Sequence, residues 1–162
     1  MSDLIENEGL PFLAHVLKRV SDEFVRGCAV WYPEYGLKFS PRAGSTVRTL
    51  ARLGPLSIKD IAATIGQSHP STIDWVRQLK GLGLVETQVD SRDRRRTLVS
   101  LTAAGKQQAE LHQKADAILA AAYRTLLEES GADLLAPLWH IEKLGKATPF
   151  EERLRAAEGL LE

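Results

Sequence analysis

Four arginines, Arg92, Arg94, Arg95 and Arg96, fall within five positions and are interrupted only by Asp93. Guanidinium groups are permanently charged and donate in a planar fork that matches phosphate and carboxylate oxygens, so such density points to a polyanion. Upstream, Ser68-His69-Pro70-Ser71 is followed by Asp74 and Arg77. Hydroxyl, imidazole, carboxylate and guanidinium groups are the side chains that hydrogen-bond to base edges in a DNA groove. Rival chemistry is weak. Ser, His and Asp are present, but no nucleophile motif, phosphate-cradling glycine loop or metal-ligand spacing joins them, and His140 with Glu142 is too little for a metal site. We therefore expect no enzyme, no cofactor and no metal.

Both groups need short elements to present them. Ser57 reads as an N-cap with Asp60 three positions on, and Ile58, Ile61, Ala62 and Ile65 form the buried side of a short helix ended by Gly66. A second helix starts at Ser68, tolerates Pro70 in its first turn, turns Val76, Leu79 and Trp75 inward, and closes at Gly81 and Gly83. Two helices joined by a tight glycine turn make a helix-turn-helix. Val85, Thr87 and Val89, then Thr97, Val99 and Leu101, alternate with their neighbours at period two, which predicts a β-hairpin with the arginines at its turn. In a helix laid in the major groove, Ser68, His69, Ser71, Ile73, Asp74 and Arg77 face the bases, with His69 and Arg77 the leading direct contacts. Arg92, nearest the hairpin tip, is expected to enter the minor groove. Arg94, Arg95 and Arg96 are expected at phosphates, unless one pairs with Asp90 or Asp93 to stiffen the loop. The bland alternatives are a solvated arginine loop and a solvated His69; the order helix, glycine turn, helix, basic hairpin argues against them.

The flanks read as helical supports. Residues 1–9 are expected to fray. Leu13, Leu17, Val20 and Phe24 predict a helix from Leu10 to Val30, ended by Trp31, Tyr32, Pro33, Tyr35 and Gly36. A helix after Ser40 or Pro41 carries Val47, Leu50 and Leu53 and stops at Gly54-Pro55. After Thr102, Leu111, Ala115, Ile118, Ala122 and Leu126 predict a helix of about 27 residues broken at Ser130-Gly131. Leu134, Leu138 and Ile141 mark another, and Thr148-Pro149-Phe150-Glu151 reads as a capping box before a last one. The expected fold is mainly α with a small β-hairpin wing. It forms a single domain over 1–162, with a winged helix-turn-helix lobe at 41–101 and helical dimerisation arms at 10–40 and 102–162.

Composition agrees with a soluble, cytoplasmic protein. The 162 residues are 44% hydrophobic, enough for one core; no apolar run reaches the roughly 20 residues that span a bilayer, so no membrane is expected; and the one cysteine, Cys28, cannot form an internal disulfide. Net charge is zero, yet residues 42–106 hold 11 Lys/Arg against 5 Asp/Glu. The excess of positive charge sits in the predicted DNA-reading segment.

Gly54-Pro55-Leu56-Ser57 through Ile61-Ala62, Gly83-Leu84-Val85-Glu86, Asp90-Ser91-Arg92-Asp93-Arg94-Arg95 and Leu101-Thr102-Ala103-Ala104-Gly105-Lys106 resemble the MarR family of bacterial transcriptional regulators. The resemblance implies a homodimer on a pseudo-palindromic double-stranded DNA operator, acting as a repressor released by a small aromatic or apolar effector. It also implies a cavity between arms and winged helix, which His15, Trp31, Tyr35, Phe39 and Arg48 could line. Alternatives are an effector-independent DNA-binding regulator and a winged helix used for protein contacts. Thr72, where the family has an aliphatic residue, and Trp75, where it has leucine, depart from the pattern. Cys28 and Tyr32 resemble the pair of peroxide-sensing members but lie too near the helix end to match, so a redox role is only an alternative.

Overall fold

Two serines begin the pair of helices around which the first part of the molecule is built. In the computed structural model, which describes residues 3–161, Ser57 caps α4 (Ile58–Ile65) by accepting the Asp60 N–H, and Ser68 caps α5 (His69–Gly81) by accepting the Ser71 N–H. Before them lie α1 (Leu4–Glu8), a 3-10 turn at Leu10–Phe12, α2 (Leu13–Tyr35), a second 3-10 turn at Pro41–Ala43 and α3 (Gly44–Leu53). After them come β2 (Val85–Val89), β3 (Thr97–Leu101), α6 (Ala103–Ser130), α7 (Leu135–Ala147) and α8 (Phe150–Glu158), while a two-residue strand β1 (Leu56–Ser57) precedes α4. The sheet is antiparallel in the order β1-β3-β2, with Thr87 opposite Val99 and Leu56 opposite Val99 on its other side.

The chain forms two compact units, Met1–Ala115 and Asp116–Glu162, and α6 contributes to both. The core of the first unit is made by Val47, Leu50, Ile61, Val76, Leu79, Leu84, Val85 and Val99, all at most 4% exposed, joined by Tyr32, Leu37 and Phe39 from around the end of α2. Burying each such aliphatic side chain contributes roughly 1.5–3 kcal/mol, far more than a surface ion pair, so packing holds the lobe together and its charges remain available for other work. In the second unit α7 and α8 leave Leu138, Trp139, Ile141, Leu144, Phe150 and Leu154 between 40% and 69% exposed. No helix among the described residues is long and apolar enough to cross a membrane.

Several expectations are corrected. Residues 4–8 form a helix capped by Asp3, whose carboxylate accepts the Ile5 N–H and pairs with Arg19, so this part of the segment 1–9 is folded; positions 1 and 2 lie outside the described residues. The first long helix does not stop at Val30 but continues through Pro33 to Tyr35. Only one backbone hydrogen bond is lost to the proline, and the continued turn delivers Tyr32 into the core at 4% exposure. Gly36 ends it in the left-handed region at φ 92°, with Leu37 N–H donating to the Tyr32 carbonyl and Gly36 N–H to that of Pro33. Leu53 is 60% exposed and does not join Val47 and Leu50. Thr148 builds no capping box: its N–H closes α7 on the Leu144 carbonyl, and Pro149 takes the N-cap position of α8 without a side-chain bond.

The hairpin is joined to α6 at one crowded point. Thr102 donates its N–H to the Leu84 carbonyl and its hydroxyl to the Gly83 carbonyl at 2.7 Å, and the same hydroxyl oxygen accepts the Gly105 N–H. A Cβ on Gly105 would stand 2.0 Å from the Leu84 carbonyl oxygen, whereas a Cβ on Gly81 would meet nothing within 4 Å. Gly105→Ala is therefore expected to cost about 3 kcal/mol or more, because backbone must shift, and to lower the melting temperature by roughly 6–12 °C. Gly81→Ala should instead stabilise by about 0.4–1 kcal/mol. Thermal melts of the two variants side by side check the assignment, and an unchanged Gly105→Ala would refute the close seat.

Candidate nucleic-acid interface

The start of α5 presents a small set of polar groups on a firmly closed turn. Ser68 and Ser71 bond to one another through their hydroxyls at 2.8 Å, and His69 and Pro70 project exposed beside them. Thr72 is fully buried, and its hydroxyl donates to the Ser68 carbonyl at 3.0 Å, so the polar atom at a core position is satisfied within its own helix. Trp75 is half-buried against the core, Ile73 is half-buried, and Asp74 and Arg77 are exposed and paired at 2.8 Å. The exposed set thus includes a carboxylate and a guanidinium one helical turn apart, an acceptor and a forked donor for base edges.

In the wing, the aspartates and arginines have separate tasks. Asp90 Oδ1 accepts the Arg92 N–H at 2.8 Å and Asp93 Oδ1 accepts the Arg95 N–H at 3.0 Å, two local turns of the kind aspartate favours. Asp90 N–H donates to the Arg96 carbonyl and Arg96 N–H to the Asp93 carbonyl, closing the loop. The backbone is folded by the acids, and the guanidinium groups are left outside it. Among the described residues the side chains of Arg92 and Arg94 make no ion pair, and Arg95 keeps its side chain 92% exposed although Nε lies 3.3 Å from Asp93. Arg96 differs: its Nη2 reaches Asp60 Oδ2 at 2.5 Å, with Nε 4.0 Å from Asp90. The expected pairing of one wing arginine with a nearby acid is therefore present, but the nearest acid belongs to α4. The Ser57 hydroxyl, and then the Arg96 charge, hold the Asp60 carboxyl below the usual carboxylate range.

Of the five residues assigned to an effector cavity, four fall in one neighbourhood of the first unit. Trp31 and Tyr35 stack at 4.7 Å, and Trp31 meets Tyr32 edge-on at 6.1 Å. Phe39 and Tyr32 both pack edge-on against His112, and Arg48 Nη2 lies 3.1 Å from His112 Nδ1. His15 is exposed and precedes Trp31 by sixteen residues of α2, about 24 Å along the helix, so it does not belong to this group. A groove of about 610 Å³ between α1 and α2, lined by Asp3, Val16, Arg19 and Val20 among others, includes none of the five. Cys28 is half-buried against the core.

His112 is the residue that sequence reasoning missed. Arg48 can only donate, so Nδ1 accepts, Nε2 carries the proton, and that N–H points at the Tyr32 oxygen 3.0 Å away. Its signal was present in the spacing: Gly105, Ala109, His112 and Ala115 are the buried positions of α6. The Leu111-based stripe obscured a turn of small residues with one polar member.

Residues 35–96 match the family model described as MarR family, a span from the end of α2 to the wing. No curated protein sequence matches the chain. Among solved structures, a MepR–DNA complex of S. aureus aligns at TM-score 0.61 and 20% identity, covering 83% of this chain and 95% of that one. Bordetella bronchiseptica BpsR, in a structure concerned with regulation of its DNA binding by 6-hydroxynicotinic acid, aligns at 0.61 and 19%, covering 82% and 98%. A MarR family regulator from Neisseria meningitidis aligns at 0.58 and 24%, covering 88% and 97%. Identities this low speak for the fold, and the family model speaks for the lobe that carries helix and wing. A capped α5, an arginine-tipped hairpin and the segment that matches the MarR family model fall in one lobe, and the solved structures share its winged-helix fold.

Proposed function

We propose that the protein is a cytoplasmic homodimeric repressor that binds a pseudo-palindromic operator in double-stranded DNA and is released by a small aromatic or apolar effector. The observation that carries the DNA reading is the wing, where two aspartates fold the loop and leave Arg92, Arg94 and Arg95 exposed, in the same compact unit as the exposed start of α5. Ser68, His69, Pro70, Ser71, Asp74 and Arg77 then serve the major groove, Arg92 the minor groove, and Arg94 and Arg95 the phosphates. The dimer is supported by the apolar side chains left exposed on α2, among them Leu13, Val16, Leu17 and Val20, and on the second unit, more than a lone soluble chain ordinarily shows. Two recognition helices one DNA turn apart cover enough of an operator to exclude other proteins, which favours repression.

Trp31, Tyr35, Phe39 and Arg48 supply apolar walls and one cation, as an aromatic acid would require. BpsR, a structural neighbour at low identity, has its DNA binding regulated by such an acid. An effector-independent regulator is the second reading, favoured by Phe39 and Arg48 being already engaged with His112.

Anisotropy titrations of a selected duplex over a range of salt concentrations test the central claim. Affinity should fall steeply with salt, and Arg92→Ala should weaken all duplexes alike while lowering the slope by about 1. His69→Ala should instead change preference at one base pair by about 1–3 kcal/mol. Duplex binding that ignored salt, or no binding, would overturn the assignment. Sedimentation should give twice the 17.9 kDa chain mass, and a monomer would remove the dimer. A panel of aromatic acids titrated into the complex decides between the two effector readings, since release by any of them excludes the second.

A further inference from the structure

We propose that Arg96 and Asp60 are positioning residues whose ion pair latches the base of the wing to α4, setting the direction in which Arg92, Arg94 and Arg95 are presented, and that Arg96 itself contacts no phosphate. The inference rests on the DNA-binding reading for its consequence, but its structural half stands on the free protein.

Both partners are fixed before they meet. Asp60 is the third residue of α4; its N–H bonds to Ser57 Oγ at 3.2 Å and its Oδ2 accepts the Ser57 hydroxyl at 2.7 Å, so the carboxylate is held by the helix cap. Arg96 has both backbone groups committed to closing the wing loop, its N–H to Asp93 and its carbonyl to Asp90. From there its side chain bridges 36 positions of sequence to Asp60. The place of the bridge is telling. Strand β1 supports β3 only through Leu56 opposite Val99 and Ser57 opposite Leu98, and among the described residues no strand pairs with β3 on that side beyond Leu98 toward the tip. The ion pair takes over two residues after that ladder stops. Among the described residues it is the one ion pair from the wing's outer half to the helix-turn-helix, because Arg95 pairs within the loop and the side chains of Arg92 and Arg94 make no ion pair.

The electrostatics agree with a latch. The Ser57 hydroxyl, followed by the Arg96 charge, keeps Asp60 ionised at neutral pH. Side-chain exposures of 47% and 43% mean that such a pair adds little to global stability. A weak contact at the root of a thin two-stranded arm can still choose among its orientations, because the arm has few other contacts to choose with.

Arg96→Gln, Asp60→Asn, the double variant and Arg96→Lys separate a latch from a phosphate contact. A latch predicts that each neutral single variant weakens duplex binding by roughly two- to five-fold, the range an exposed pair spans, and that the double variant is no worse than either. It also predicts an unchanged salt slope, and Arg96→Lys retaining most of the affinity. In the free protein, amide relaxation should show wing residues 92–96 more mobile in both single variants, with melting temperatures unchanged. A phosphate contact predicts instead that Arg96→Gln alone weakens binding and lowers the slope by about 0.9, while Asp60→Asn, having lost a negative charge, binds as well or more tightly. That result, or wing mobility unaffected by both substitutions, overturns the latch. Should the unaltered protein fail to bind DNA, the functional reading falls and the relaxation data alone decide whether the wing is latched.

Discussion

Only a glycine fits above the Leu84 carbonyl at position 105, and much of the molecule is arranged through that contact. Leu84 follows the end of α5 and opens the wing; Thr102 closes the wing and opens α6. By donating to both the Gly83 and Leu84 carbonyls, Thr102 ties the exit of α5, the entry of the hairpin and the start of the long helix within a few residues. A side chain at Gly105 would push α6 off this seat. The constraint acts through backbone, which cannot yield as the end of a flexible side chain can, and so it fixes the angle between helix and hairpin more tightly than apolar packing alone would.

Charge and packing divide the work cleanly in the first unit. Stability comes from aliphatic side chains that α3, α4, α5 and the sheet bury together. The acids of the wing fold local backbone, Asp90 and Asp93 in the loop, while Asp60 of α4 bonds to Ser57 and takes Arg96. What remains is a surplus of guanidinium on a loop whose own acids are turned toward backbone N–H groups. Zero net charge on the whole chain is compatible with this, because a polyanion responds to the local field within about a Debye length, not to the total.

What the sequence made legible was what local chemistry decides. Ser57 and Ser68 as caps, Gly66 as the turn, the period-two strands and the Thr102 cap all depend on residues within four or five positions, and each is found where expected. The missed features depend on distant partners. Strand β1 is two residues long and exists only because β3 lies beside it. Helix α2 passes Pro33 because Tyr32 gains a core position and a bond to His112, eighty residues away. Arg96 could be assigned to a nearby acid from sequence, but the acid that holds it is brought close by the fold. Leu53 has helical spacing with Val47 and Leu50, yet it stays 60% exposed.

Thr72, one of the two departures in α5, has an instructive resolution. A threonine in a fully buried helical position would ordinarily cost an unsatisfied hydroxyl, but here the hydroxyl returns to the carbonyl one turn earlier, which is that of the N-cap Ser68. The same carbonyl already accepts the Thr72 N–H at 3.1 Å, so the first turn of α5 is closed twice at one oxygen. Ser68 in turn accepts from the Ser71 N–H and bonds to the Ser71 hydroxyl. The four consecutive residues from Ser68 to Ser71, the exposed His69 among them, are thereby held in one conformation. Preorganisation of this kind reduces the ordering cost of binding any partner at this turn, so the buried threonine acts by stiffening the start of α5.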